Sequence, residues 1–234
     1  MSDDIKRIQL FLLPFAGGSS VSFNKLFPLL DTRIEPITIE YAGRATRRKE
    51  PFIMNYYDFI SDVAEHINEY RSNLPYSVLG YSLGSAVVYD LLSRRMIKGF
   101  PTHAFICARG SLLNNLSSQS FVGLPDNDFI FMMSKLGGID ERILKNKRFL
   151  DIYLRPIRAD YIIWGQYKYQ QGSIPCSATA IYSPEDEAAK GVKDWSKIVD
   201  GTVDYYEMGE NHFFLNNHWR DVAEIINTHL EKKI

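Results

Sequence analysis

The stretch from Tyr76 to Met96 leaves the chain little conformational freedom. A β-forming run, Tyr76 to Tyr81, passes through Gly80-Tyr81-Ser82-Leu83-Gly84 straight into a helix-like segment, Leu83 to Met96. With no loop between them, the backbone must turn sharply at Ser82 and lift its hydroxyl clear of the strand. Glycines two residues before and two residues after that serine answer a steric demand, because side chains there would collide with the neighbouring strand and helix. Ala86 and Val87 follow as packing residues.

The rest of the chain keeps the same rhythm. Ile8 to Phe15 reads as a strand, Ser22 to Leu30 as a short helix and Ile34 to Tyr41 as a second strand. Asn55 stands where a helix cap belongs, ahead of Ile60, Val63, Ala64 and Ile67 at helical spacing. His103 to Ala108, Ser177 to Tyr182 and Val203 to Met208 are further strands, and Trp219 to Leu230 is a closing helix. Strands separated by helices predict an α/β fold with a mostly parallel sheet and helices on both faces. From Gly110 to Gln171 the rhythm breaks: helix-like pieces such as Phe129 to Leu136 and Phe149 to Arg155 occur, without a convincing strand. The expected organisation is a single domain, residues 1–234, with 110–171 inserted as a helical lid.

Composition narrows the function. The net charge is -1, from 27 Lys and Arg against 28 Asp and Glu, which provides no global field for nucleic acid or an anionic membrane. Two cysteines, Cys107 and Cys176, exclude a disulfide framework and fit buried free thiols in a reducing compartment. Lys6-Arg7 followed by Ile8 to Ala16 imitates a signal peptide, but Asp3, Asp4, Gln9 and Pro14 interrupt the pattern. No apolar run approaches the roughly 20 residues that span a bilayer.

A serine hydroxyl is a poor nucleophile until a base takes its proton. Among five histidines, His66, His103, His218 and His229 fall in or at the ends of regular elements, whereas His212 follows the last strand through Gly209-Glu210-Asn211. That loop leaves the carboxyl edge of the sheet, the edge on which Ser82 stands and where open α/β sheets bind ligands. An acid must hold the imidazole, and in the order Ser, acid, His it should lie between the two. Asp186 leaves a strand at the same edge; Glu185, Glu187 and Asp204 are the alternatives. An oxyanion would be met by the backbone N–H of Leu83 and by a second donor in Pro14-Phe15-Ala16-Gly17-Gly18-Ser19-Ser20, assigned to Ala16 with Phe15 as alternative. The glycines of that loop match neither G-x-x-x-x-G-K nor G-x-G-x-x-G, which argues against nucleotide binding. No H-E-x-x-H or paired C-x-x-C occurs, so no metal or other cofactor is expected.

Taken together these segments resemble type II thioesterases of non-ribosomal peptide and polyketide assembly lines, which have the α/β-hydrolase fold. Leu12-Leu13-Pro14-Phe15-Ala16-Gly17-Gly18-Ser19 is similar to the family's L-P-x-A-G-G segment, and Gly43-Arg44 to its P-G-R. Leu136-Gly137-Gly138 and Arg158-Ala159-Asp160 are similar to lid and post-lid motifs; Asp186 with Trp195, and His212-Phe213-Phe214-Leu215, to the acid and histidine signatures. The chain departs from the pattern at Tyr81, Leu83, Ala42, Ser183 and Glu210-Asn211. Ser183 stands where glycine is usual before the acid, and Glu210-Asn211 where glycine is frequent before the histidine. The resemblance implies a cytoplasmic, monomeric hydrolase that removes acyl or aminoacyl groups from the phosphopantetheine arms of acyl- or peptidyl-carrier proteins, through an acyl-serine. Other readings are a general carboxylesterase or lipase with the same triad, a non-catalytic receptor or scaffold on this fold, and a releasing domain cut from a synthetase. Arg44, Arg47, Arg48 and Lys49, and likewise Lys145, Lys147 and Arg148, are basic clusters: either solvated surface or docking sites for an acidic carrier. Phe129, Phe131, Met132 and Met133 either pack the lid or line an acyl pocket.

Overall fold

In the computed structural model, which describes residues 6–114, 123–135 and 147–233, six parallel strands form one sheet in the order β2-β1-β3-β4-β5-β6. They are β1 (Ile8–Leu13), β2 (Ile34–Thr38), β3 (Tyr76–Tyr81), β4 (Ala104–Cys107), β5 (Ala178–Tyr182) and β6 (Val203–Glu207). The helices are α1 (Tyr56–Tyr70), α2 (Leu83–Ser93), α3 (Asp126–Lys135), α4 (Lys147–Trp164) and α5 (Trp219–Glu231). The strand order reverses between β1 and β3, and such a switch opens a crevice beyond the carboxyl ends of the strands.

Both faces of the sheet are covered, so the central strands are apolar throughout rather than alternating. From β1, Phe11 and Leu13 pack beneath α1 and α2, while Ile8, Leu10 and Leu12 pack against α5. The strands β3 and β4 repeat the division: Val78, Ala104 and Ile106 join the first side, Leu79, Phe105 and Cys107 the second. On α1, Tyr56, Phe59, Ile60, Val63, Ala64 and Ile67 make the buried stripe, and the Asn55 side chain accepts from the N–H groups of Tyr57 and Asp58 at 2.9 and 3.2 Å. No helix among the described residues is long and apolar enough to cross a membrane. Cys107 is buried and Cys176 half-buried, both as free thiols, and burial pushes the Cys176 thiol up to about 12.

Several elements differ from the sequence reading. The helix expected over Ser22 to Leu30 is two 3-10 turns, Ser20–Phe23 and Phe27–Leu29, because Pro28 lacks the N–H that a continuous helix would use. The end of α2 at Ser93 comes before the expected Met96. Arg95 takes a left-handed φ of 58°, its N–H donates to the Leu92 carbonyl at 3.2 Å, and the Met96 N–H reaches the Leu91 carbonyl at 2.9 Å. That pair of bonds is a Schellman closure, made here without the usual glycine. Conversely, α4 does not stop at Arg155 but runs through Pro156 to Trp164. Its buried face, including Leu154, Ile157, Ile163 and Trp164, maintains the helix, and Ile152, whose carbonyl Pro156 cannot serve, is 57% exposed. Between α3 and α4, Phe129 and Met133 pack with Leu154 and Ile157 as a small separate core, while Phe131 is exposed. Leu136-Gly137-Gly138 and Lys145 lie outside the described residues, as do the side chains of Lys147 and Arg148.

Candidate active site

Ser82 links β3 to α2 with φ 54° and ψ −108°, a strained conformation for a residue with a Cβ. Its surroundings force the turn. A Cβ on Gly84 would lie 2.0 Å from the Leu13 carbonyl oxygen, and one on Gly80 would lie 2.4 Å from the Gly84 backbone. The two glycines therefore let α2 approach β1 and β3 closely. Ser82 donates its N–H to the Cys107 carbonyl at 2.8 Å, and Ser85, buried behind the turn, accepts from the Cys107 N–H at 3.1 Å and sits 2.7 Å from the Gly80 carbonyl.

His212 and Asp186 come to this turn from the loops after β6 and β5. Asp186 Oδ2 is 2.7 Å from His212 Nδ1, and His212 Nε2 is 2.9 Å from Ser82 Oγ. An ionised carboxylate only accepts, so Nδ1 carries the proton and Nε2 offers its lone pair to the serine hydroxyl. Asp186 and His212 are 5% and 6% exposed, which keeps their hydrogen bond out of competition with water. The other Asp186 oxygen accepts from the Ala188 N–H at 2.9 Å, which fixes the carboxylate plane.

The alternative residues point elsewhere. Glu185, Glu187 and Asp204 are exposed, and Asp204 lies beside His229 rather than His212. His66 sits against the Asp62 carbonyl, His103 against Thr179, His218 against Asp221 and His229 against Tyr206.

Three departures from the family pattern have structural counterparts. The buried Ser183 hydroxyl donates to the Glu210 carbonyl at 2.7 Å, tying the acid loop to the histidine loop. Glu210 holds φ at 76°, the region that favours glycine, and its carboxylate accepts from Asn217 Nδ2 at 2.6 Å. The sequence reading gave the Tyr81 side chain no part here. Its hydroxyl, buried beneath the site, donates to the His212 carbonyl at 2.7 Å, and its ring packs with Phe15, Phe213 and Phe214.

Leu83 follows the serine at the start of α2, and Ala16 lies on the loop after β1, where the Leu13 and Pro14 carbonyls approach Gly84. The first N–H groups of a helix have no carbonyl one turn earlier to serve, so Leu83 N–H is open to a ligand. The Gly17 N–H, by contrast, is taken by Asp160 Oδ2 at 2.7 Å.

The basic cluster around Arg44 is not a docking surface as a unit. Arg44 is buried and forked onto Asp160 at 2.7 and 2.7 Å, and Arg47 pairs with Asp62 and Glu50, leaving Arg48 and Lys49 exposed. Neither Arg44 nor Asp160 was recognisable as a partner of the other; 116 residues separate them. Arg109, after β4, lies with its guanidinium 4.2 Å from the centre of the Trp164 ring, and burial lowers it to about 10.

A family model described as "Thioesterase domain" matches residues 8–230. The chain is 27% identical over 214 residues to the gramicidin S biosynthesis protein GrsT of Aneurinibacillus migulanus, across 89% of this chain and 83% of that one. It is 26% identical over 235 residues to thioesterase PikA5 of Streptomyces venezuelae, across 95% and 81%. Its fold is similar to that of ClbQ from the colibactin NRPS/PKS pathway, with a TM-score of 0.86, 24% identity and coverage of 97% and 98%. The sheet, the strand-to-helix turn and the family match together make this chain a member of the thioesterase domain family, whose chemistry is the hydrolysis of a thioester.

Proposed function

We propose that the chain clears acyl or aminoacyl groups from phosphopantetheine arms of carrier proteins in non-ribosomal peptide or polyketide synthesis, using Ser82 as nucleophile, His212 as base and Asp186 as its orienting acid. The observation that carries the residue assignment is the unbroken chain of contacts from Asp186 through His212 to Ser82, at 2.7 and 2.9 Å. In this mechanism Nε2 takes the serine proton as Oγ attacks the thioester carbonyl, and the oxyanion that forms is met by the N–H groups of Leu83 and Ala16. The imidazolium, steadied by Asp186, passes its proton to the departing sulfur as the tetrahedral intermediate expels the thiol, which leaves His212 neutral for the second half of the reaction. An ordinary thiol ionises at about pH 8.5, so its thiolate leaves far more readily than an amine and this step asks little of His212 as an acid. Water then attacks the acyl-serine with His212 as base, releasing the acid and restoring Ser82.

Biosynthetic names among the relatives, gramicidin S for one and colibactin for another, support the carrier-bound substrate. The helices α3 and α4, between β4 and β5, serve in this reading as a lid within a single domain: Ile157 of α4 lies against Gly17, at the loop that supplies the Ala16 donor. The enzyme acts as a cytoplasmic monomer and needs no metal. Mass spectrometry of acylated carriers tests the proposal directly. The native protein should strip them and react with a fluorophosphonate probe, while Ser82→Ala and His212→Ala should each lower turnover by roughly 10⁴-fold or more with the fold intact. Wild-type turnover in either variant, or a strong preference for simple esters over acyl-carriers, would overturn it.

A further inference from the structure

The loop that follows β1 is pinned from both ends by side chains outside it. The Tyr41 hydroxyl donates to the Pro14 carbonyl at 3.0 Å, and Glu40 accepts from the Ser20 N–H at 3.1 Å. Between these points the Gly18 N–H donates to the Phe15 carbonyl at 2.8 Å, closing a turn. That carbonyl belongs to the same peptide unit as the Ala16 N–H, and in a trans peptide the two point in opposite directions. Whatever holds this turn therefore aims the Ala16 N–H.

The hold is a buried ion pair. Asp160, from α4 and 1% exposed, accepts the Gly17 N–H at 2.7 Å and both terminal nitrogens of Arg44; Arg44, 7% exposed, also donates to the Gly18 carbonyl at 3.2 Å. Gly17 has φ 80°, and a Cβ on it would lie 2.3 Å from Ile157, so the loop lies pressed against α4 at this point. A buried ion pair contributes little stability relative to apolar residues of the same volume. Its distinctive contribution here is direction: a planar fork and a carboxylate fix the two peptides on either side of the Gly17–Gly18 unit, which a methyl group could not orient.

We propose that Arg44 and Asp160 are positioning residues for thioester hydrolysis, holding the Gly17 and Gly18 peptides so that the Ala16 N–H faces the oxyanion on the carbon attacked by Ser82. The proposal rests on the reading of Ser82, Ala16 and His212 given above. It also makes α4 part of the device, since the same helix that carries Ile157 supplies the carboxylate.

The test compares Arg44→Lys, Asp160→Asn and the apolar double variant Arg44→Met/Asp160→Leu with the native chain on an acyl-pantetheine thioester. Expected is a fall in kcat of about 10- to 100-fold, somewhat less than outright loss of one oxyanion donor, with KM within about threefold. The affinity for a trifluoromethyl ketone carrying the same acyl chain, whose hemiketal oxygen occupies the oxyanion position, should fall by the same factor. Ile226→Ala, in the packing beneath α5, supplies a destabilised control in which kcat holds. Should the single variants fold poorly, the double variant decides, because apolar replacement keeps the volume and removes the direction. Native kcat in a folded variant, or lost kcat with native ketone affinity, would overturn the proposal. A native chain that neither hydrolyses the thioester nor reacts with a fluorophosphonate would instead overturn the underlying serine mechanism.

Discussion

A phenol stands between the strand-to-helix turn and the base. The bond from the Tyr81 hydroxyl to the His212 carbonyl spans 131 positions of sequence and fixes the backbone from which the imidazole projects. Tyr81→Phe keeps the ring and deletes the donor, leaving a buried carbonyl unserved at a cost of about 1–3 kcal/mol. The expected outcome is a denaturation midpoint lowered to match, and a several-fold lower kcat with fluorophosphonate labelling retained; unchanged stability and kcat would show that the loop is held without it. The three side chains that the structure brings into contact, Ser82, His212 and Asp186, could be named from the chain through local signatures: Gly80 to Gly84 around the serine, and loops after strands for the histidine and for the acid, where Glu185 and Glu187 stood as alternatives. Tyr81, Ser183 and the Arg44–Asp160 pair could not, because their partners are a backbone carbonyl or an opposite charge, features that occur throughout any sequence.

The elements themselves followed from periodicity where burial dictates it. All six strands and the helices α1, α2 and α5 lie where their apolar spacing predicts, while their ends were set by contacts that periodicity does not register. Arg95 in a left-handed conformation, Pro28 within the second of two tight turns and Pro156 inside α4 each depend on what packs nearby. Asn55 is the exception, a boundary visible in the sequence because its side chain bonds its own helix. Asn55→Ala removes the acceptor for Tyr57 and Asp58 and should cost about 1 kcal/mol in equilibrium unfolding, with activity unchanged. Asn55→Asp, which keeps an acceptor at the positive end of α1, should restore it.

At the scale of the whole molecule, the end of the sheet remote from Ser82 limits acid tolerance. His103 is buried between Thr179 and the stacked ring of His229, with Phe105 beside it, and Lys233 adds an unfavourable positive charge. Burial lowers His103 to about 4 from 6.5. A histidine lowered in the folded state binds its proton first when unfolded, so its contribution is fully present above about pH 6.5. It is lost progressively as the pH falls toward 4, to a total of about 3 kcal/mol. Urea midpoints measured between pH 7 and 4 should fall accordingly, and His103→Gln, which keeps a partner for Thr179, should flatten the slope in that interval. An equal slope in the variant would assign acid sensitivity to other groups.

The strand order has a consequence for synthesis on the ribosome. Ser82 emerges early, Asp186 follows β5, and His212 follows β6, so in the proposed mechanism the nucleophile has no base until β6 has been made and has docked on β5. On that mechanism, a chain cut before the histidine loop should be inert toward thioesters even where β1 to β5 have folded.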